Sequence, residues 1–328
     1  MATIAANPHT IPSDMAQTGS PVTSSVEEDH GLARFFYAAS AALLISATQG
    51  VVQRLPGISD WLRDADYAGH MVSNLAMSHI TIIGAGTITL TGLIYYVLPR
   101  VAKVPLYSKA LTNFSFWATL IGVFGFYLSM VLLGIYEGAM VHAGWGYDDA
   151  RAYMGALHKA PLAVTAAIMG LGYWTFVTNV YVTVGRASGF RKVNPTEGAT
   201  NEQFLLAKFF AVGATGLLLG TVQGVYQILP WSLDWLRSTG AAGHLIDPVA
   251  HTHINLVGGM CIALMGLLYY FLPRMLGKPV YSMKLAHISF WFVFIGVFAF
   301  YFGALTLGFV EGNMMLEQGI SDVEAKEA

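Results

Sequence analysis

The chain has 328 residues, a net charge of −2 and one cysteine, with 55% hydrophobic and 11% charged residues. A soluble domain is about a quarter charged, so this balance describes an integral membrane protein. It excludes a nucleic-acid binder with a basic arm, and the lone Cys261 excludes a disulfide framework.

In chain order, residues 1–33 are polar, rich in Ser, Thr, Ala and Pro, and lack the charged-then-apolar layout of a signal peptide. They are expected to form a disordered tail. Seven apolar segments follow, at roughly 34–53, 71–98, 113–137, 161–185, 204–228, 249–272 and 288–311. Each is long enough to cross a hydrocarbon core of about 30 Å. A second polar tail covers 313–328. The prediction is an all-α, polytopic membrane helical bundle of about seven transmembrane helices.

The second half repeats the first. His79 to His253 is 253 − 79 = 174 residues, and Tyr95 to Tyr269 and Arg100 to Arg274 keep the same offset. Gln49, Gln53, Asp60-Trp61-Leu62-Arg63, His70, Ser115-Phe116-Trp117 and Glu137-Gly138 all recur at that spacing. Their counterparts are Gln223, Gln227, Asp234-Trp235-Leu236-Arg237, His244, Ser289-Phe290-Trp291 and Glu311-Gly312. The chain therefore divides into a three-span repeat at 34–138, a loop and fourth span at 139–203, and a second three-span repeat at 204–312. Equivalent helices are four spans apart, so both copies run in the same direction. They are expected to be parallel repeats about an axis along the membrane normal. The side holding the N-terminus carries 11 of the Lys and Arg residues and the other side 6. The positive-inside bias then places the N-terminus in the cytoplasm and the C-terminus outside an inner (plasma) membrane.

An ionisable side chain within a span is costly and marks a candidate site. The stretch His251-Thr252-His253 places two imidazoles near one end of the sixth span. Two residues of helix turn a side chain through about 200°, so these rings leave opposite faces and serve different sites. His79 and His253 hold equivalent positions on related helices. Either they ligate one haem iron from both sides, or each hydrogen-bonds a neighbouring helix. His251 has Met77 as its counterpart, so it suits a site present on one side only: a second haem with an open position, or a contact with a haem edge, water or backbone. No C-x-x-C-H occurs, which excludes covalent attachment of haem c.

The other polar residues divide similarly. Arg63 and Arg237 are placed to neutralise haem propionates or to join an interfacial tryptophan–arginine belt. His70 and His244 are expected to be solvated or beside the haem, and His142, His158 and His287 to be without special role. Glu137 and Glu311 are expected to be solvated helix ends, with proton acceptance from a quinol as the alternative. Gln49, Gln53, Gln223 and Gln227 are expected to join helices.

His251-Thr252-His253-Ile254-Asn255-Leu256-Val257-Gly258-Gly259, followed by Tyr269-Tyr270-Phe271-Leu272-Pro273-Arg274, resembles the catalytic subunit I of the haem–copper oxidases. The likeness is greatest to the cytochrome cbb-type oxidases and nitric oxide reductases. Tyr281-Ser282, Ser289-Phe290-Trp291 and Ile295-Gly296 resemble the next span of those subunits. The resemblance implies His251 as ligand of a high-spin haem, and His253 with His79 as the low-spin pair. It also implies about twelve spans in three units, whose middle unit carries three copper-ligating histidines. This chain has seven segments and no histidine between Pro161 and Gly185. It resembles the first and third units joined, truncated and without the copper-ligand unit.

The expectation is a membrane oxidoreductase subunit with haem b and no copper. It would carry electrons through the low-spin haem, with a second, open haem on His251 as a further expectation. The alternatives are a part of a multi-subunit oxygen or nitric oxide reductase, or a haem-based gas sensor. The expected partners are membrane lipid, a cytochrome or quinol donor, and other respiratory subunits or a second copy.

Overall fold

Ser108 and Ser282 open two long helices, Lys109–His142 and Met283–Gln318, in the same way. Each hydroxyl accepts the backbone N–H three residues on, from Leu111 (3.2 Å) and Leu285 (3.3 Å). That satisfies one of the donors the first helical turn leaves free. The opposite ends of the preceding helices also correspond. Gly277 ends one with φ +60°, a left-handed conformation that glycine adopts without strain, while Lys103 holds φ +55° at the equivalent place.

A computed structural model describes residues 26–187 and 201–319, and the described residues are helices joined by short turns. In order, the helices are α1 (Val26–Val52), α2 (Pro56–Asp64), α3 (Asp66–Ala102), α4 (Lys109–His142), α5 (Tyr147–Met154), α6 (Ala156–Arg186), α7 (Asn201–Gln227), α8 (Pro230–Ser238), α9 (Gly240–Leu276) and α10 (Met283–Gln318). Seven of them, α1, α3, α4, α6, α7, α9 and α10, are long and apolar enough to cross a membrane. Several run past the expected spans, α3 beginning at Asp66 rather than 71 and α10 reaching Gln318 rather than 311. Apolarity marks only the hydrocarbon-facing part of a helix, whereas backbone hydrogen bonding continues into the interface. The tail at 1–25, the loop residues Arg191 and Lys192 and the C-terminal Lys326 lie outside the described residues.

Element bounds in the second half fall 174 residues after those of the first. Pro56–Asp64 corresponds to Pro230–Ser238, and Asp66–His70 to Gly240–His244. Inside α3 the helix widens into π-type turns at Met71–Ala76 and Ile80–Thr87, and α9 does so at Ile254–Cys261, whereas over Leu245–Ala250 α9 is kinked, Asp247 leaving helical geometry at φ −130° and ψ 114°. These departures from regular helix flank Met77–His79 and His251–His253, and π-type turns recur at functional sites.

Helix α6 lies along α4, and α7 joins it to α9. The approach of α6 to α4 depends on small residues, as membrane helix pairs do. A Cβ on Gly122 would sit 2.5 Å from the Met169 backbone nitrogen, and one on Gly172 would sit 2.6 Å from that of Thr119. Asn179 of α6 makes the junction specific. Its amide accepts from Ser108 N–H (3.1 Å) and donates to Ser108 O (3.0 Å) and Thr112 Oγ1 (2.9 Å). A buried core of Phe35, Tyr95, Phe116, Phe176, Phe210 and Leu267 ties both halves together at the end away from the histidines.

Candidate haem-ligand site

The two equivalent histidines are held by identical chemistry. His79 Nδ1 lies 2.7 Å from Leu75 O, and His253 Nδ1 lies 2.8 Å from Val249 O. A carbonyl only accepts, so Nδ1 carries the proton in each ring and Nε2 keeps its lone pair. That tautomer, fixed by a hydrogen bond on the far nitrogen, is how metal-ligating imidazoles are oriented. Each ring also meets a phenylalanine at the same register of the third helix in its own half. His79 packs on Phe126 (4.9 Å) and His253 on Phe300 (4.5 Å).

The surroundings of the two rings differ. His79 is partly buried, whereas His253 is exposed. Among the described residues no ring contact joins His79 to His253. His251 leaves the opposite face of α9 and is wedged against α7. Its Cε1 would lie 2.9 Å from a Cβ on Gly224, and Asn255 Nδ2 is 3.4 Å from its Nδ1. Gly224 thus makes room for this imidazole between the two helices, and Gly220 makes room for the Asn255 amide beside it.

The glutamines join helices. Gln49 Nε2 donates to Val72 O and Gln223 Nε2 to Ile246 O, both at 2.8 Å, and Gln53 Nε2 lies 3.1 Å from Met77 Sδ. The short helices α2 and α8 are seated by their tryptophans, because a Cβ on Gly138 or Gly312 would collide with Trp61 or Trp235 at 2.6 and 2.7 Å. His142 Nε2 is 3.0 Å from Trp61 O and secures the same helix. This seating carries Arg63 to the rim of a cavity of about 640 Å³, also lined by Gln53, His70, Asn74, Met77 and Ser78. Arg63 is exposed and paired with Asp60 (3.0 Å) and Asp64 (3.1 Å), which raise its pKa above the ordinary arginine value. Arg237 and His244 are exposed, as is His70.

Two expectations are corrected. Glu137 is fully buried rather than a solvated helix end, and His158 is buried beside it rather than without role. His158 Nδ1–H donates to Glu137 Oε1 at 2.5 Å, as it must while the carboxyl is ionised. The start of α6 folds back over the end of α4 and removes both from water. Glu137 Oε2 and Tyr147 Oη have no partner in the same region, and burial together with the Glu137 carboxylate pushes the Tyr147 phenol above its ordinary range. Neither apolar periodicity nor residue spacing signals this pair, because it is made by a tertiary contact.

The family described as "Cytochrome C and Quinol oxidase polypeptide I" matches in two segments, residues 23–172 and 153–325. The chain is 23% identical over 228 residues to cytochrome c oxidase subunit 1 of Rhodobacter capsulatus, covering 69% of this chain and 36% of that protein. It is 22% identical over 233 residues to the Cbb3-type cytochrome c oxidase subunit CcoN1 of Stutzerimonas stutzeri, covering 68% and 40%. The matched part therefore spans well under half of either relative.

Proposed function

The chain belongs to the cytochrome c and quinol oxidase polypeptide I family, a multi-pass membrane protein of haem–copper oxidase subunit I type, and from that premise we propose that it carries electrons through a haem b held by His79 and His253. The observation that carries this reading is the matched pair of Nδ1–H bonds to Leu75 O and Val249 O, which leaves two Nε2 lone pairs on equivalent helices. Haem is the cofactor class that family membership implies, and this donor set fits it. Bound there, it would supply a one-electron iron couple, and His79 and His253 would be the residues that hold it. The protein's share is to fix the tautomers, to line the site with Phe126 and Phe300, and to offer Arg63 and Arg237 toward propionates. For Arg63, that role requires exchanging Asp60 and Asp64 for the new carboxylates.

In this reading the two halves are parallel repeats, with the N-terminus cytoplasmic and the histidines toward the outer face of the plasma membrane. The electron donor is a cytochrome or a quinol. Assembly with other respiratory subunits into an oxygen or nitric oxide reductase is the second reading. It is favoured by the names of the relatives, both of which are oxidase subunits.

His251 tests whether a second haem is present. Replacing it with Met restores the equivalence with Met77, and a flexible thioether adapts to the gap against Gly224. The His251→Met protein is expected to fold, to keep the low-spin spectrum, and to lose one haem together with carbon monoxide binding. A wild-type protein with a single haem and no response to carbon monoxide would make His251 a packing residue of the α7–α9 contact.

A further inference from the structure

The fourth spanning helix covers one face of the first repeat, and among the described residues nothing covers the equivalent face of the second repeat. On α4 that face runs through Ala118, Gly122, Phe126, Leu133 and Glu137, spaced at helical intervals of four and seven. Helix α6 lies along it. The Met169 backbone enters the notch at Gly122, Leu162 and Ala166 pack with Phe126 and Leu133, and His158 closes the end on Glu137. Adding 174 gives Phe292, Gly296, Phe300, Leu307 and Glu311 on α10. Ala118, Phe126 and Leu133 are 6%, 6% and 7% exposed, whereas Phe292, Phe300 and Leu307 are 76%, 44% and 54% exposed. Gly296 and Gly303 have nothing within 4 Å of an added Cβ, and Glu311 Oε2 is buried without a partner.

We propose that this face of α10 docks a transmembrane helix of a different polypeptide, one that presents a histidine, lysine or arginine to Glu311 as His158 is presented to Glu137. The first repeat supplies the geometry. The incoming helix runs antiparallel to α10, approaches its backbone most closely at Gly296, and carries its base about three turns from that point, as His158 stands 169 − 158 = 11 residues from Met169. Lipid tails fill an apolar surface but leave a carboxylate near the end of the stripe without a donor. A second copy of this chain using the same face would set Glu311 against Glu311 at equal depth, and like charges there repel. A basic helix answers both requirements. Because Phe300 also carries the ring contact of His253, the docked helix would cover the exposed histidine as α6 covers the neighbourhood of His79.

Photo-crosslinking in the membranes of the source cells tests this with the full chain. A benzophenone amino acid replaces Phe292 in one variant and Phe302 in another, the latter exposed on a different side of α10. The Phe292 position should give a discrete adduct whose peptide sequence is a transmembrane helix with a basic residue, and the Phe302 position should not. In the background of Gly296→Leu, which fills the notch from open space and leaves folding intact, the adduct should fall about tenfold, as overpacking a close helix contact implies. Glu311→Leu should reduce it similarly. An adduct with this chain itself, with lipid alone, or with equal yield from both positions would overturn the proposal. So would an adduct indifferent to Gly296→Leu.

Discussion

Replacing either His79 or His253 with alanine is expected to abolish the low-spin haem spectrum of the purified protein. Each substitution removes one of two nitrogen donors from the same iron, so the single variants should be as deficient as the double. The helices should survive the change, since each ring makes only one hydrogen bond to its own helix and one ring contact to a neighbour. Circular dichroism of the variants should therefore match the wild type while visible absorption does not. An unchanged low-spin spectrum in either variant would mean that the two histidines do not share an iron.

The second large effect is expected at the buried pair on α4 and α6. Removing one partner of such a pair leaves the other without compensation and costs about 3–5 kcal/mol. His158→Ala should therefore lower the thermal stability of the detergent-purified protein markedly. Glu137→Gln should cost about 1 kcal/mol, because the amide oxygen still accepts from His158 Nδ1–H. Thermal unfolding of the two variants, followed by tryptophan fluorescence, separates these outcomes. Equal and small losses in both would show that the pair contributes little to the seating of α6.

The seven spans and the 174-residue correspondence were legible in the sequence because hydropathy and internal identity are local properties of the chain. The opposite directions of His251 and His253 were equally legible, since two residues of helix fix them. What surrounds each ring was not. His251 is seated against Gly224 of α7, 27 residues earlier in the chain, and nothing in the sixth span announces it. The pairing of Glu137 with His158 escaped for the same reason. A glutamate at the end of an apolar segment reads as solvated until the next helix is known to fold over it. The bare face of α10 is the converse. Identical spacing on α4 and α10 predicts identical burial, and only the packing of α6 on α4 alone distinguishes them.

The measurement that bears most directly on the proposed function is the pyridine haemochrome of the purified, full-length protein. The account predicts the haem b spectrum at no less than about one haem per chain. A correctly folded protein without haem b above background would contradict it. In that case the matched hydrogen bonds of His79 and His253 would serve only to hold two side chains against their own helices.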